Sequence, residues 1–300
     1  MKNNPIKLTD AQSKELQEIA KVLCTQYKIE KIICFGALSS LTSENTIFEV
    51  SQMHSTNKYY LLVLTTEIMR IEHAMQDYIN KHFPGTFILQ HGIETVMNLV
   101  YNYDTFFLNA CLNGALIYTK DGFTMIPDFD ESKMEEALLK DRKVFKKIYN
   151  LASGFSKSAF ICLEYQFNDN VIFLLHQAVE QGCRALIRLF TGYRSDIHNI
   201  SRLLELCNCF SSEPSELFRR HFAKEKHLFK VLAASYSEAR YKDNYQVNEY
   251  EANLLCTQVS AFIDLIGELA KKEITPGTAK EAAKASAEVV DYSPALPASL

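Results

Sequence analysis

The chain has 300 residues, 47% of them apolar and 23% charged, with a formal net charge of -4. That length accommodates two domains with sizeable cores, and the mild acidity excludes a global attraction to nucleic acid or anionic membrane, leaving only local basic faces for such contacts. Eight cysteines fall mostly at apolar pattern positions (Cys24, Cys34, Cys111, Cys162, Cys183, Cys207, Cys209, Cys256). This argues against a disulfide scaffold and for reduced core thiols in a cytoplasmic protein. One Cys-x-Cys, at 207 and 209, without a second pair is no metal signature. The opening "MKNNPIKLTD" has no apolar run after its lysine, so no signal peptide is expected, and no segment approaches the ~18 apolar residues of a membrane span.

In chain order, residues 8–28 form an amphipathic helix with Leu16, Ile19, Ala20 and Leu23 on one face and Thr9 or Asp10 as its cap. "KIICFG" reads as a strand stopping at Gly36, and the following "ALSSLTSENTIFEVSQMHST" has no clean period. "NKYYLLVLTT" (Asn57 to Thr66) is a second strand, whose apolar half suits a sheet covered on both faces and whose start presents Lys58, Tyr59 and Tyr60. A helix over 67–83, a strand at "GTFILQHG", a helix over 94–114 and a strand "ALIYTKDG" running into an Asp-Gly turn complete the first part. The order suits a small unit with a mixed sheet, residues 1–125.

After "FTMIPDFD" helical periodicity takes over, placing a boundary at 126–130 and a helical bundle over 126–272. Residues 169–192 carry the spine Ile172, Leu175, Val179, Leu186 and Phe190, ended by Gly192. A short helix at 197–210, a long one at 214–241 and another at 249–273 follow. Pro276 and Gly277 open an Ala-, Ser- and Pro-rich tail, 273–300, expected to be mobile apart from a brief helix around Ala279 to Val289. The expected fold is therefore α+β with two domains.

His176, Glu180, Arg184 and Arg188 recur every four residues, so they share one helix face. Spacing alone favours a solvated face with a Glu180–Arg184 ion pair. "LLHQAVEQGCRALI", "HNISRLLEL" and "AASYSEARY", in that order over roughly 160–270, resemble the signature of the HEPN domain, a nucleotide-binding helical domain. The resemblance implies a polar pocket of His176, Glu180, Arg184, His198, Arg240 and Tyr241, holding either a nucleotide phosphate or an internal ion pair. It also implies pairing into homodimers through the helical domain. Many members are metal-independent ribonucleases whose arginine neutralises phosphate charge and whose histidine, five to seven positions on, moves the proton of the 2'-hydroxyl. Arg240 has no histidine at that distance, whereas Arg220 and His227 have the spacing at an earlier place. The segment 216–230 also carries Arg219, Arg220, Lys224, Lys226 and Lys230 against Glu216 and Glu225, a basic face for phosphates or a dimer rim.

The first 125 residues resemble a minimal nucleotidyltransferase: "IICFGALSS", with Gly36, Ser39 and Ser40, matches its phosphate-cradling turn. That family holds divalent metal on two carboxylates one residue apart. Aligning its apolar run with "LLVLT" puts Lys58 and Tyr60 at those places, and "TFILQHG" lacks the third acid. The resemblance implies a vestigial site at Gly36, Ser39, Ser40, Lys58 and Tyr60, with no metal and no cofactor. The resulting expectation is a nucleotide- or RNA-binding HEPN-type protein with a catalytically dead nucleotidyltransferase-like domain, in a regulatory or toxin–antitoxin setting, without membrane contact or sequence-specific DNA binding. The alternatives are a HEPN ribonuclease using Arg220 and His227, and a ligand-free protein–protein interaction module.

Overall fold

Alternate residues of a strand point to opposite faces, and in "YYLLVL" both sets are buried. The computed structural model describes residues 5–46, 49–66, 71–122, 130–241 and 247–274 and, within these, all side chains but those of 40–46, 49–56 and 237–241. The expected tail from residue 275 on and most of the expected boundary at 126–130 lie outside the described residues, while residues 273 and 274 of that tail continue the last helix.

Strands β1 (Ile29–Thr46) and β2 (Glu49–Thr65) form a long antiparallel hairpin. β3 (Thr86–Gly92) runs parallel to β2, and β4 (Ala115–Thr119) antiparallel to β1, giving a mixed sheet of order β3-β2-β1-β4. The two expected strands are thus each much longer than their apolar segments. The intervening stretch showed no period because its arms pair with each other, from Ala37 opposite Tyr59 outward, and backbone pairing satisfies the chain whatever its side-chain pattern.

Tyr59, Leu61 and Val63 pack with Ile32 and Ile88 against α1 (Asp10–Gln26) and α2 (Glu72–Asn80). α1 starts at a capping box in which Thr9 and Gln12 exchange hydrogen bonds. The expected start of α2 at 67 falls among residues 67–70, outside those described. Edge strand β3 does not leave its outer backbone open: Gln76 Oε1 accepts from Ile88 N at 2.9 Å, Glu72 Oε2 from Gln90 N at 3.1 Å, and Arg202 donates to Ile88 O at 3.1 Å. Such cover blocks pairing with another chain.

Tyr60, Leu62 and Leu64, on the other face, belong to a core continuous with the helical half. The helix expected over 94–114 is two, α3 (Ile93–Tyr101) and α4 (Thr105–Asn113). They break where Tyr103 takes a left-handed conformation (φ 58°) and the Asp104 carboxylate caps the N–H groups of Phe106 and Phe107.

α5 (Glu131–Glu164), α6 (Asn168–Thr191), α7 (Ile200–Cys207), α8 (Glu213–Leu217), α9 (Ala223–Tyr241) and α10 (Glu249–Ile274) form the bundle, with α6 packed by α5, α7, α9 and α10. The long helix expected over 214–241 is interrupted between α8 and α9. Phe218 is buried edge-on against Phe229 and Phe262, and the Glu225 carboxylate accepts from the N–H groups of His221 and Phe222, restarting the helix. The two halves are also locked at Gly192, which ends α6 at φ 77° against Thr105 and Phe106 of α4. Thr105 Oγ1 donates to Asp141 of α5, Asp141 pairs with Arg188 at 2.5 Å, and Arg188 donates to Gly192 O at 2.6 Å.

Candidate functional site

The i, i+4 face of α6 is not the solvated surface that spacing favoured. His176 and Glu180 are each 2% exposed, because α9 and the segment leading into α7 cover that side of a helix in the middle of the bundle. Glu180 Oε1 receives the Arg184 guanidinium at 3.1 Å and lies 3.2 Å from His198 Nδ1. Arg184 Nη2 donates to Ile197 O at 3.0 Å and is 3.4 Å from the same histidine nitrogen. One Nδ1 cannot accept from Arg184 and donate to Glu180 at once. The shorter distance, and the carbonyl already serving Arg184, assign the Nδ1 proton to the Glu180 bond. His198 Nε2 is then the atom left for an outside partner, on a side chain 62% exposed.

Tyr236, one turn beyond Leu232 on α9, sits between the two histidines: its ring is 5.5 Å from His176 and 6.1 Å from His198, stacked on both within 28°. Two buried atoms of the cluster, Glu180 Oε2 and Arg184 Nε, have no hydrogen-bond partner among the described residues. A carboxylate oxygen and a guanidinium N–H left in this state are costly unless something supplies them.

His176, Glu180, Arg184 and His198 therefore converge. Arg188 leaves the set for Asp141 and Gly192. Arg240 and Tyr241 fall in the last turn of α9, one turn beyond Tyr236, with side chains outside the described residues. Sequence reading did not single out Tyr236; its place within "AASYSEARY", four residues before Arg240, was the signal that could have raised it.

Arg220 and His227 are engaged apart from each other. Arg220 donates to Ser201 Oγ at 2.6 Å and lies 4.3 Å over the Phe229 ring, while the exposed His227 bonds the Glu251 carboxylate of α10 at 2.7 Å. In the N-terminal unit, Gly36 stands opposite Tyr60, and a Cβ there would come within 2.9 Å of the Tyr60 ring. Ser39 donates to Asn57 and accepts from Gln12, Ser40 pairs with Thr56 in the hairpin, and the Ser40 side chain lies outside the described residues. Lys58 Nζ meets the Glu205 carboxylate of α7 at 3.0 Å, and Tyr60 donates its hydroxyl proton to Glu205 O at 3.2 Å. Burial, reinforced by the Glu205 charge, holds the Tyr60 phenol above its usual range, so it stays a neutral donor. The two positions aligned with metal-binding acids thus face the helical half and are occupied in docking it. Glu205 is the residue that both meet, and sequence reading did not single it out. Among the described residues no group of three or more His, Cys, Asp or Glu is placed to hold a metal ion, and no helix is long and apolar enough to cross a membrane.

Residues 145–292 match the HEPN domain family. The matched segment contains the whole Glu180 cluster and runs past residue 272, where the helical domain was expected to end. No curated protein matches the chain.

Proposed function

With a C-terminal HEPN domain over residues 145–292 as the premise, we infer that this is a nucleotide- or RNA-binding protein whose N-terminal unit is a nucleotidyltransferase-like scaffold without transfer chemistry. The observation that carries the reading is the Glu180 carboxylate, buried with one oxygen unpartnered among the described residues and bonded through the other to exposed His198, on which Tyr236 stacks. A nucleobase fits that chemistry. Its amino group supplies the donor that Glu180 Oε2 lacks, and its face stacks on the exposed His198 ring, which Tyr236 backs, a contact worth about 1–3 kcal/mol per base. His198, the exposed member, is the point of entry.

The N-terminal half of the reading is supported by Lys58 and Tyr60, which offer no metal ligand and are held on Glu205. Cleavage of RNA by Arg220 and His227 is not supported by their separate contacts. We take the units as residues 1–125 and 126–272. A homodimer through the helical half is supported by exposed Leu151, Phe160 and Ile161 on α5.

The test is anisotropy of labelled single-stranded RNA, with ATP and GTP by calorimetry, on the full chain, His198→Ala and Tyr236→Leu. The expected result is saturable binding that weakens about tenfold or more in both variants, without metal-free cleavage. Equal affinity in all three proteins would falsify the assignment.

A further inference from the structure

Where the two halves meet, a cleft of about 370 Å³ opens between the end of α2, the start of β3 and α7. Its charged lining is Lys58, Arg202 and Arg220 against Glu205 alone, with neutral donors and acceptors such as Asn80 and Ser201 around them. With Glu72 paired to Arg202 behind the lining, three cations stand against two carboxylates, a local positive excess in a chain of net charge -4. The volume lies within the range of roughly 300–1,000 Å³ typical of small-molecule sites.

The three cations are held in place without being used up. Lys58 gives one contact to Glu205 and keeps further ammonium protons on a side chain about half exposed. Arg202 spends Nη2 on Glu72 and Ile88 O and lays its plane 5.1 Å from the Phe87 ring, and its Nε is buried without a partner among the described residues. Arg220 is only partly exposed, yet its contacts are a hydroxyl and an aromatic face, and no carboxylate of the described residues pairs with it. Withdrawing a guanidinium from water without a counter-charge is unfavourable. Ser201 and Phe229 fix its orientation instead, which is the state of a group prepared for an incoming anion. Guanidinium forks match phosphate oxygens in pairs, and an ammonium alongside adds a point charge.

We propose that this interdomain cleft binds a phosphate group, either of a nucleotide or of an RNA strand, through Lys58, Arg202 and Arg220. It shares no residue with the Glu180 cluster, so each site is tested separately. Because β2 supplies one cation and the α7–α9 region the others, a bound phosphate also ties the two halves together.

Inorganic pyrophosphate is the probe, titrated calorimetrically into the full chain, Lys58→Met, Arg220→Met, Glu205→Gln and the remote control Lys21→Met. Binding should weaken about tenfold or more in Lys58→Met and Arg220→Met, hold in Lys21→Met, and fall with added salt. Glu205→Gln removes the competing carboxylate and should tighten binding several-fold, a gain that misfolding cannot mimic. AMP and a five-nucleotide RNA then distinguish the sources: the one whose affinity follows the same variant series is the donor of the phosphate. No saturable pyrophosphate binding, undiminished binding in both cation variants, an equal loss in Lys21→Met, or failure of Glu205→Gln to tighten would overturn the proposal.

Discussion

Replacing Gly192 by alanine tests the seam between the two halves. Gly192 ends α6 at φ 77°, where an L side chain costs about 1–2 kcal/mol. Its Cβ would also run into the Thr105 side chain and come within 3.1 Å of Phe106 N, both at the start of α4. Thr105 cannot simply rotate away, because its hydroxyl donates to Asp141, itself paired with Arg188. Overpacking of that kind adds about 1–3 kcal/mol, so the expected loss is about 2–5 kcal/mol. Gly154→Ala is the internal comparison: it lies within exposed α5, a Cβ there meets nothing within 4 Å, and the change should stabilise by about 0.5–1 kcal/mol. Urea unfolding followed by circular dichroism reads both. A Gly192→Ala midpoint equal to the parent's, with unchanged slope, would refute the claim that α6 ends wedged against α4.

Glu180→Ala should cost about 3 kcal/mol or more, because it strands the largely buried Arg184 guanidinium, whereas Glu180→Gln still accepts from Arg184 and should cost clearly less; thermal denaturation showing equal losses would contradict the pairing. Tyr60→Phe should lose about 1 kcal/mol with its bond to Glu205 O, and Lys58→Met less than that because its ion pair is half in water; the reverse order in chemical denaturation would put the docking strength in the wrong contact. Burial pushes the Cys34 thiol up to about 11 and Cys209 to about 12, and raises fully buried Cys207 as well. A raised value means less thiolate at pH 8, so a disulfide reagent should leave these three unmodified in the folded protein and reach all eight after denaturation. Rapid labelling of Cys34 or Cys207 under native conditions would show that their cores open.

Much of the local architecture was legible because periodicity is a property of neighbouring residues. Leu16, Ile19 and Leu23 announce α1, and the unbroken apolar run "LLVL" announces a strand buried on both faces. Elements ended by tertiary demands were not legible. Nothing local marks Tyr103 as left-handed, or stops the helix at Phe218, which breaks to insert a ring between Phe229 and Phe262. The hairpin beyond Gly36 was hidden because cross-strand pairing needs no hydrophobic period.

The candidate site divides in the same way. Helical spacing alone put His176, Glu180 and Arg184 on one face, since that follows from 3.6 residues per turn. Whether that face met water or protein depended on α9 and the approach to α7, elements far along the chain. Their arrival buried Glu180, set Tyr236 between two histidines and left a carboxylate oxygen without a donor. Likewise the sequence by itself put Lys58 and Tyr60 at the head of a strand, where the nucleotidyltransferase resemblance would expect acids. Only the tertiary structure decided that both reach Glu205, and that Arg202 and Arg220 stand across the cleft from Lys58, because charges separated by more than 140 residues become neighbours only when the sheet docks on the bundle.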